Sequence, residues 1–196
     1  MLTLEQGARL IALARKSIFS KFSLLGLRIK SSDKADFAAL RPCAVTLYNH
    51  GKMRGSCQLL EETAPLFQAV STCAFMAAFR DPRFVAVGKK ELPELIIEVS
   101  VLSRPKRLDV RNPEEYLQKI PKGAGVEARG TFHKGSVLPY EAMAAQWDPA
   151  TMLAQACIRA NLDPDDWLNF DKSRVYIFTS QVFSETSSEG QIIQIM

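Results

Sequence analysis

The sequence predicts an α+β protein with a largely antiparallel sheet covered by helices. Strand-like and helix-like segments interleave without the regular spacing of βαβ units, and at least two strand pairs are joined by turns of hairpin length. The 196 residues, 47% hydrophobic and 23% charged, have the composition of an ordinary globular protein. We therefore expect residues 1–196 to form one domain, with room for a small lobe built from one of the connections.

The N-terminal segment predicts a helix. Thr3 caps it, and Gln6 completes a capping box. Apolar residues then recur at helical spacing on one face: Leu4, Ala8, Ile11, Ile18, Phe22 and Leu25. Arg15 lies in the middle of this face, so its guanidinium must reach solvent or meet a carboxylate.

A β-hairpin comes next. Cys43–Tyr48 predicts its first strand, residues 49–52 the turn, and Met53–Leu59 the returning strand. Pro65 opens a second helix, predicted to run to about Phe79, and the alternating residues 95–102 then predict a clear strand.

The remaining chain predicts several shorter elements. In order, these are a helix at 112–121, strands at 125–129 and 136–138, a helix at 148–162, a short helix at 163–167 and a strand at 174–183.

Charge is unevenly distributed. Residues 1–60 carry ten Lys and Arg against three Asp and Glu, whereas residues 151–196 carry three against six. Either the two ends pack together and neutralise each other, or the basic part binds an anionic partner. The first interpretation is favoured because no stretch is densely basic.

Common catalytic motifs are absent: there is no P-loop, Rossmann fingerprint, HExxH or GxSxG. The four cysteines form no CxxC pair, and neither histidine lies near a cysteine at ligand spacing. We expect no metal and no cofactor, and buried inert thiols in a cytoplasmic protein.

The segment Met53–Gln58 is the most unusual part of the hairpin. Gly55 interrupts a strand, which is typical of a β-bulge or of a close approach to the backbone. Arg54 offers a fork of donors suited to a carboxylate or phosphate. Ser56 and Cys57 both carry a nucleophilic atom, but alternation points them to opposite faces, so only one can face a given pocket.

Catalysis by Ser56 or Cys57 requires a base within hydrogen-bond reach. His50 at the hairpin turn is about 20 Å along the strand from Cys57. His133 can serve only if its own turn folds over the second strand. Ser56, Cys57 and His133 are therefore weak catalytic candidates, and we expect Cys57 to be a small core residue.

Residues 81–84, Asp-Pro-Arg-Phe, place opposite charges around a fixed turn. One interpretation is a helix terminator with a local ion pair between Asp81 and Arg83. The other is a ligand contact. Both remain open.

Several segments, in order along nearly the whole chain, resemble the AMMECR family, whose bacterial and archaeal members are called AmmeMemoRadiSam system protein A. Ala78–Phe84 is similar to the family's Ala-Phe-x-Asp-Pro-Arg-Phe. The other matching segments are Ala14-Arg15, Val45–Leu47, Met53–Gly55, Glu91–Leu95, Glu98–Leu102, Val137–Pro139, Trp147-Asp148 and Arg159–Leu162.

One segment departs from the family pattern. The family's Leu-Arg-Gly-Cys-Ile-Gly corresponds to Met53–Gln58, so the family cysteine falls on Ser56 and Cys57 takes the isoleucine position. A hydroxyl is a far weaker unassisted nucleophile than a thiol. The chain therefore resembles a divergent member.

The resemblance implies an antiparallel sheet with a smaller subdomain, and an accessory or catalytic component acting with Memo-like and radical SAM proteins. Our leading hypothesis is a site for a small anionic or carbonyl-bearing ligand. In it Arg54 holds the anion, Gly55 allows close approach to the backbone and Ser56 donates a hydrogen bond. Asp81 and Arg83 are neighbours. A protein-interaction module without catalysis and a nucleic-acid-associated regulator are the alternatives.

Overall fold

The computed structural model describes residues 1–195, which divide into two compact units. The first unit contains Met1–Leu102 and the C-terminal segment from Gln181, and the second contains Ser103–Ser180. Within the described residues the first unit has a five-stranded antiparallel sheet and the second a four-stranded one, both packed with helices. The predicted α+β class is confirmed.

The elements follow one another in chain order. The first half contains α1 (Leu4–Ser20), α2 (Ser31–Asp36), β1 (Cys43–Asn49), β2 (Lys52–Leu59), α3 (Leu66–Phe79), a 3₁₀ turn (Lys89–Glu94) and β3 (Ile96–Leu102). Then come β4 (Lys106–Arg107), α4 (Glu115–Lys119), β5 (Gly125–Arg129), β6 (Lys134–Val137), α5 (Pro139–Ala144), α6 (Pro149–Arg159), a second 3₁₀ turn (Asp166–Leu168), β7 (Arg174–Phe178), β8 (Ser180–Glu185) and β9 (Ile192–Gln194). The strand orders are β2-β1-β3-β8-β9 and β4-β7-β5-β6.

Helix α1 begins where the sequence predicts, with the capping box of Thr3 and Gln6 in place. It ends at Ser20, so Phe22 and Leu25 lie beyond it and are exposed, contrary to the predicted face. Gly26, which has a positive φ of 62°, follows soon after Ser20, and glycine is a weak helix former. The buried face consists instead of Gly7, Leu10, Ile11, Leu13, Ala14, Ser17 and Ile18.

Arg15 of α1 is paired. Its Nη2 atom lies 2.5 Å from Glu185 Oε2 and donates to the Leu95 carbonyl at 2.8 Å. Glu185 Oε2 also accepts from the Ile97 backbone N–H at 2.8 Å. This pair joins Arg15 of the basic N-terminal region to Glu185 of the acidic C-terminal segment inside the first unit.

Helix α3 lies directly on strand β2 at Gly55. A Cβ atom at this position would lie 2.1 Å from the carbonyl oxygen of Ala77, so the helix can pack here only because the strand lacks a side chain. The β1–β2 register shifts between Leu47 and Tyr48, which places a β-bulge at the same point. The close approach that the sequence predicts at Gly55 is made by the protein's own helix.

The second unit packs its sheet on α6 in a similar way. A Cβ atom on Gly135 of β6 would lie 2.4 Å from the Ala156 carbonyl oxygen of that helix. The apolar core of the second unit includes Val126, Leu153 and Trp167.

The strand predicted at 174–183 is wrong as a single element. It is two strands, β7 and β8, which belong to different sheets. The break falls at Thr179, whose backbone N–H donates to the Ser103 hydroxyl at 3.0 Å. The apolar run continues through the break, so periodicity alone does not reveal it. Sequence reasoning also missed the short elements α2, α5, β4 and β9.

None of the helices within residues 1–195 is long and apolar enough to cross a membrane.

Replacing Gly55 with alanine should destabilise the protein by about 1–3 kcal/mol, because the new methyl group meets backbone that cannot move freely. The matched control is Gly88→Ala, whose Cβ would lie 3.5 Å from the nearest atom, a side-chain oxygen of Glu91. The control should change stability by at most about 0.5 kcal/mol. Urea denaturation measures both, and equal losses would contradict the packing described.

Candidate functional site

Arg54 lies at the bulge in β2, and Glu91 of the first 3₁₀ turn holds its guanidinium. Nε donates to Oε2 at 2.8 Å and Nη2 donates to Oε1 at 3.2 Å. The Arg54 hydrogen bond lowers the pKa of Glu91, and the Gly88 backbone N–H adds to the effect. The fork that the sequence assigns to an external anion is thus occupied by an internal carboxylate. A ligand contact by Arg54 stays a prediction.

Ser56, Asp81 and Arg83 come together at the edge strand of the first sheet. The Asp81 carboxylate accepts from the Ser56 backbone N–H at 2.8 Å, and from Arg83 Nε at 3.0 Å and Nη2 at 2.7 Å. The same Nη2 donates to Ser56 Oγ at 2.6 Å. The carboxylate thus fastens the end of α3 to β2 and aims Arg83 at the Ser56 hydroxyl.

Asp81 is ionised at neutral pH. Its hydrogen bond from Arg83 outweighs the opposing effect of burial, the backbone N–H of Ser56 helps, and the pKa of Asp81 falls to about 2. A carboxylate with so low a pKa is a poor general base at neutral pH. Its role is to position Arg83, whose side chain is 54% exposed while that of Asp81 is 3% exposed.

The Ser56 hydroxyl is arranged as a hydrogen-bond donor. Its oxygen accepts from Arg83, which leaves its own proton to donate. Asp81 binds the Ser56 backbone, and among residues 1–195 no side chain accepts the hydroxyl proton. A nucleophilic role would need a base at this hydroxyl, and catalysis by Ser56 stays a prediction.

Cys57 belongs to a group of three thiols on the opposite face of β2. Cys43 Sγ lies 3.9 Å from Cys73 Sγ, and the Cys57 thiol interacts with Cys73. That interaction, followed by burial, raises the pKa of Cys57 well above its usual range. Because the thiolate is the reactive form, Cys57 is unsuited to nucleophilic attack at neutral pH.

His133 lies in the exposed turn between β5 and β6, in the second unit, whereas Ser56 and Cys57 lie in the first. Its backbone carbonyl accepts from the Gly130 N–H at 2.9 Å. Within the described part of the chain, no group of three or more His, Cys, Asp or Glu residues is placed to hold a metal ion.

A row of polar residues crosses the face of the first sheet that carries Ser56. Thr46 of β1 pairs in register with Ser56 of β2 on one side and with Glu98 of β3 on the other. Residues opposite each other in antiparallel strands share a face, so the three side chains form one line, which we call the polar row. The next pair along β1 and β3, Val45 and Val99, points to the opposite face of the sheet and belongs to the apolar core.

Glu98 is the unusual member of the polar row. The residue is only 4% exposed, and among the described residues its carboxyl group has no hydrogen bond or ion pair. Burial alone raises its pKa to about 7. Thr46, 7% exposed, likewise makes no side-chain hydrogen bond within residues 1–195.

Sequence reasoning did not select Glu98 as a site residue. The alternation in residues 95–102 places Glu98 on the face opposite to Ile97 and Val99, where a polar side chain is expected. The pattern therefore identifies the strand but does not single out Glu98.

Glu98 should make stability fall as pH rises from about 4.5 to about 7. The pKa is higher in the folded state than in the unfolded chain, so the protonated form favours folding and this contribution is lost as the carboxyl ionises. The loss should reach roughly 3 kcal/mol. Urea denaturation across this pH range should show the decline in the parent protein and remove it in Glu98→Gln.

The exposed Glu94→Gln is the control for this measurement, and it should retain the decline. Parallel pH profiles for the parent protein and Glu98→Gln would show that Glu98 ionises normally.

Comparison with known proteins places the chain in a family. The family model AMMECR1 matches residues 11–183. Protein MK0488 of Methanopyrus kandleri is 38% identical over 97% of this chain and 94% of its own length. Protein MJ0810 of Methanocaldococcus jannaschii is 34% identical over 99% of this chain and 97% of its own length.

A solved structure agrees with these matches. The crystal structure of the uncharacterized protein PH0010 from Pyrococcus horikoshii superposes with a TM-score of 0.90 at 31% identity, covering 97% of this chain and 96% of that one. Sequence and fold lead to the same result, which the resemblance of the separate motifs predicted: the chain belongs to the AMMECR1 family.

Proposed function

We propose that the chain binds a small anionic or carbonyl-bearing ligand at the polar row, as an accessory or catalytic component of a small-molecule pathway. The observation that carries the proposal is Glu98, a buried carboxyl without a partner among residues 1–195, in one row with the Ser56 hydroxyl. A buried polar group without a hydrogen bond is costly to the fold. Such groups are found preferentially where a ligand or a reaction uses them.

Each residue has a separate role in this proposal. Arg83 contacts the anionic part of the ligand, because its guanidinium is half exposed and Asp81 fixes its direction. Ser56 donates its hydroxyl proton. Glu98 is largely protonated below its raised pKa of about 7, so it donates a hydrogen bond to a carbonyl oxygen.

The spacing of the row limits the ligand. Ser56 and Glu98 stand two strand separations apart, which is roughly 10 Å. A molecule that reaches both therefore carries its anionic group at one end and its carbonyl or hydroxyl group at the other. Arg54 and Gly55 support the site from outside the row, through the pair with Glu91 and the packing of α3.

The setting of this function follows from the family resemblance. We propose that the chain acts with Memo-like and radical SAM proteins in the cytoplasm. The four cysteines are free thiols, which is typical of a reducing compartment.

The test is a binding screen of small carboxylates, phosphate monoesters and carbonyl compounds by thermal shift, followed by titration calorimetry. A ligand of the site should bind the parent protein and lose at least about tenfold in affinity in Arg83→Ala, because a hydrogen bond to a charged group is removed. Thr46→Val, which removes one hydroxyl from the row, should also weaken binding.

Arg9→Ala is the matched control, since it removes a guanidinium of the same unit that is bound to Asp33 and Asp36 and has no role in the row. It should retain the ligand. Equal losses in Arg9→Ala and Arg83→Ala would contradict the role given to Arg83, and a screen without any ligand of these classes would contradict the function itself.

A further inference from the structure

A cavity lies on the helical side of the first unit, and none of the residues that line it belongs to the polar row. Its volume is about 330 Å³, which is within the range of small-molecule sites. Helices α1 and α3 and the segment after α1 form its walls. Its apolar lining residues are Leu27 and Ile29 from that segment and Phe75 and Met76 of α3.

The serine hydroxyls in the walls are already used by the protein. Ser17 Oγ donates to the Ser71 carbonyl at 2.6 Å, Ser71 Oγ donates to the Phe67 carbonyl at 2.8 Å, and Ser20 Oγ donates to the Ser17 carbonyl at 2.7 Å. These hydroxyl protons are therefore turned toward helix backbone. What the walls offer to a bound molecule is mainly hydrocarbon.

Two lining residues of α3 keep their polar atoms for a ligand. Gln68 and Thr72 are exposed, and their side chains make no hydrogen bond within the described residues. They can receive the polar end of a molecule whose chain occupies the apolar part of the cavity.

Basic residues are sequence neighbours of the residues that line this cavity. Lys16, Lys21, Arg28 and Lys30 each stand next to a lining residue, all four are exposed, and none forms an ion pair within residues 1–195. Residues 6–32 contain no Asp or Glu, and α3 contains no charged residue at all. The chain segments that line the cavity therefore carry basic residues and no acidic residue, which favours an anionic partner.

Exposed apolar side chains occur in the segments that line the cavity. In the segment after α1, Leu24 is fully exposed and Leu25 is 74% exposed, while Met76 on the cavity wall is 39% exposed. Large exposed apolar side chains are unfavourable in water, and a bound hydrocarbon chain would cover part of this apolar area.

We propose that this cavity binds a small anionic amphiphile, a molecule with one hydrocarbon chain and a carboxylate or phosphate at its end. The hydrocarbon chain of the ligand occupies the space between Leu27, Ile29 and Phe75. The charged end lies toward Lys21 and Arg28, with Gln68 and Thr72 as hydrogen-bond donors. The source is either a free fatty acid or a lipid in a membrane, and both present the same chemistry.

The test uses decanoate, below its critical micelle concentration, as the probe and decanol as its uncharged match. Titration calorimetry should show that decanoate binds the full chain more tightly than decanol. Thr72→Trp, which fills the cavity from an exposed position, should abolish binding. Ala12→Trp is the matched control on an exposed position of α1 outside the cavity, and it should bind normally.

Charge reversal tests the cationic surroundings. Lys21→Glu with Arg28→Glu should weaken decanoate about tenfold and leave decanol unchanged. Lys52→Glu with Lys122→Glu makes the same change in net charge elsewhere on the surface and should have little effect.

Flotation with phosphatidylglycerol vesicles separates the two sources. Vesicle binding that Thr72→Trp removes would assign the amphiphile to a membrane, whereas decanoate binding without vesicle binding would assign it to a free acid. Three results would overturn the proposal: no decanoate binding, equal binding of decanoate and decanol, or a dimer in sedimentation that Thr72→Trp dissociates, which would make a second copy of the chain the occupant.

Discussion

The packing of α3 against the first sheet is the constraint on which the rest of this unit depends. The helix contacts the backbone of β2 because Gly55 has no side chain. The helix thereby covers one face of the sheet. Side chains alternate along a strand, so the positions between the buried ones are forced to the other face. The same strands thereby supply an apolar core on one face and a line of polar groups on the other, and the candidate chemistry follows from the packing.

The pKa values of two carboxyl groups in this unit are shifted in opposite directions by their surroundings. Arg83 and the backbone of Ser56 keep Asp81 ionised far below neutral pH, whereas burial without a partner keeps Glu98 largely protonated below pH 7. One is therefore a fixed charge that orients an arginine, and the other is a group that changes charge near neutral pH. Different surroundings thus give two carboxyl groups of one unit different roles.

Local patterns account for much of what the sequence predicts correctly. The hairpin of β1 and β2, helix α3 and strand β3 follow from alternation, helical spacing and turn residues, which act over short distances. The break at Thr179 does not, because a change of sheet leaves the apolar run intact. The meeting of Asp81 with Arg83 is local as well, since a turn fixes it.

The site itself was only partly predictable, because its partners come from distant parts of the chain. Arg54 was expected to hold an external anion, but its partner Glu91 lies 37 positions later and no spacing rule joins them. Glu98 acquires its character from burial and from the lack of any partner in the described chain, and neither property is visible in a strand pattern. What the sequence did supply was the identity of Ser56, Asp81 and Arg83 as neighbours.

The protonation of Glu98 is the most direct test of this account. A ¹³C NMR titration of the glutamate side-chain carboxyls, with Glu98→Gln to assign the resonance, measures it without any knowledge of the ligand. The account predicts a midpoint near 7 for Glu98. A midpoint near 4.5, the ordinary value for a glutamate, would contradict it.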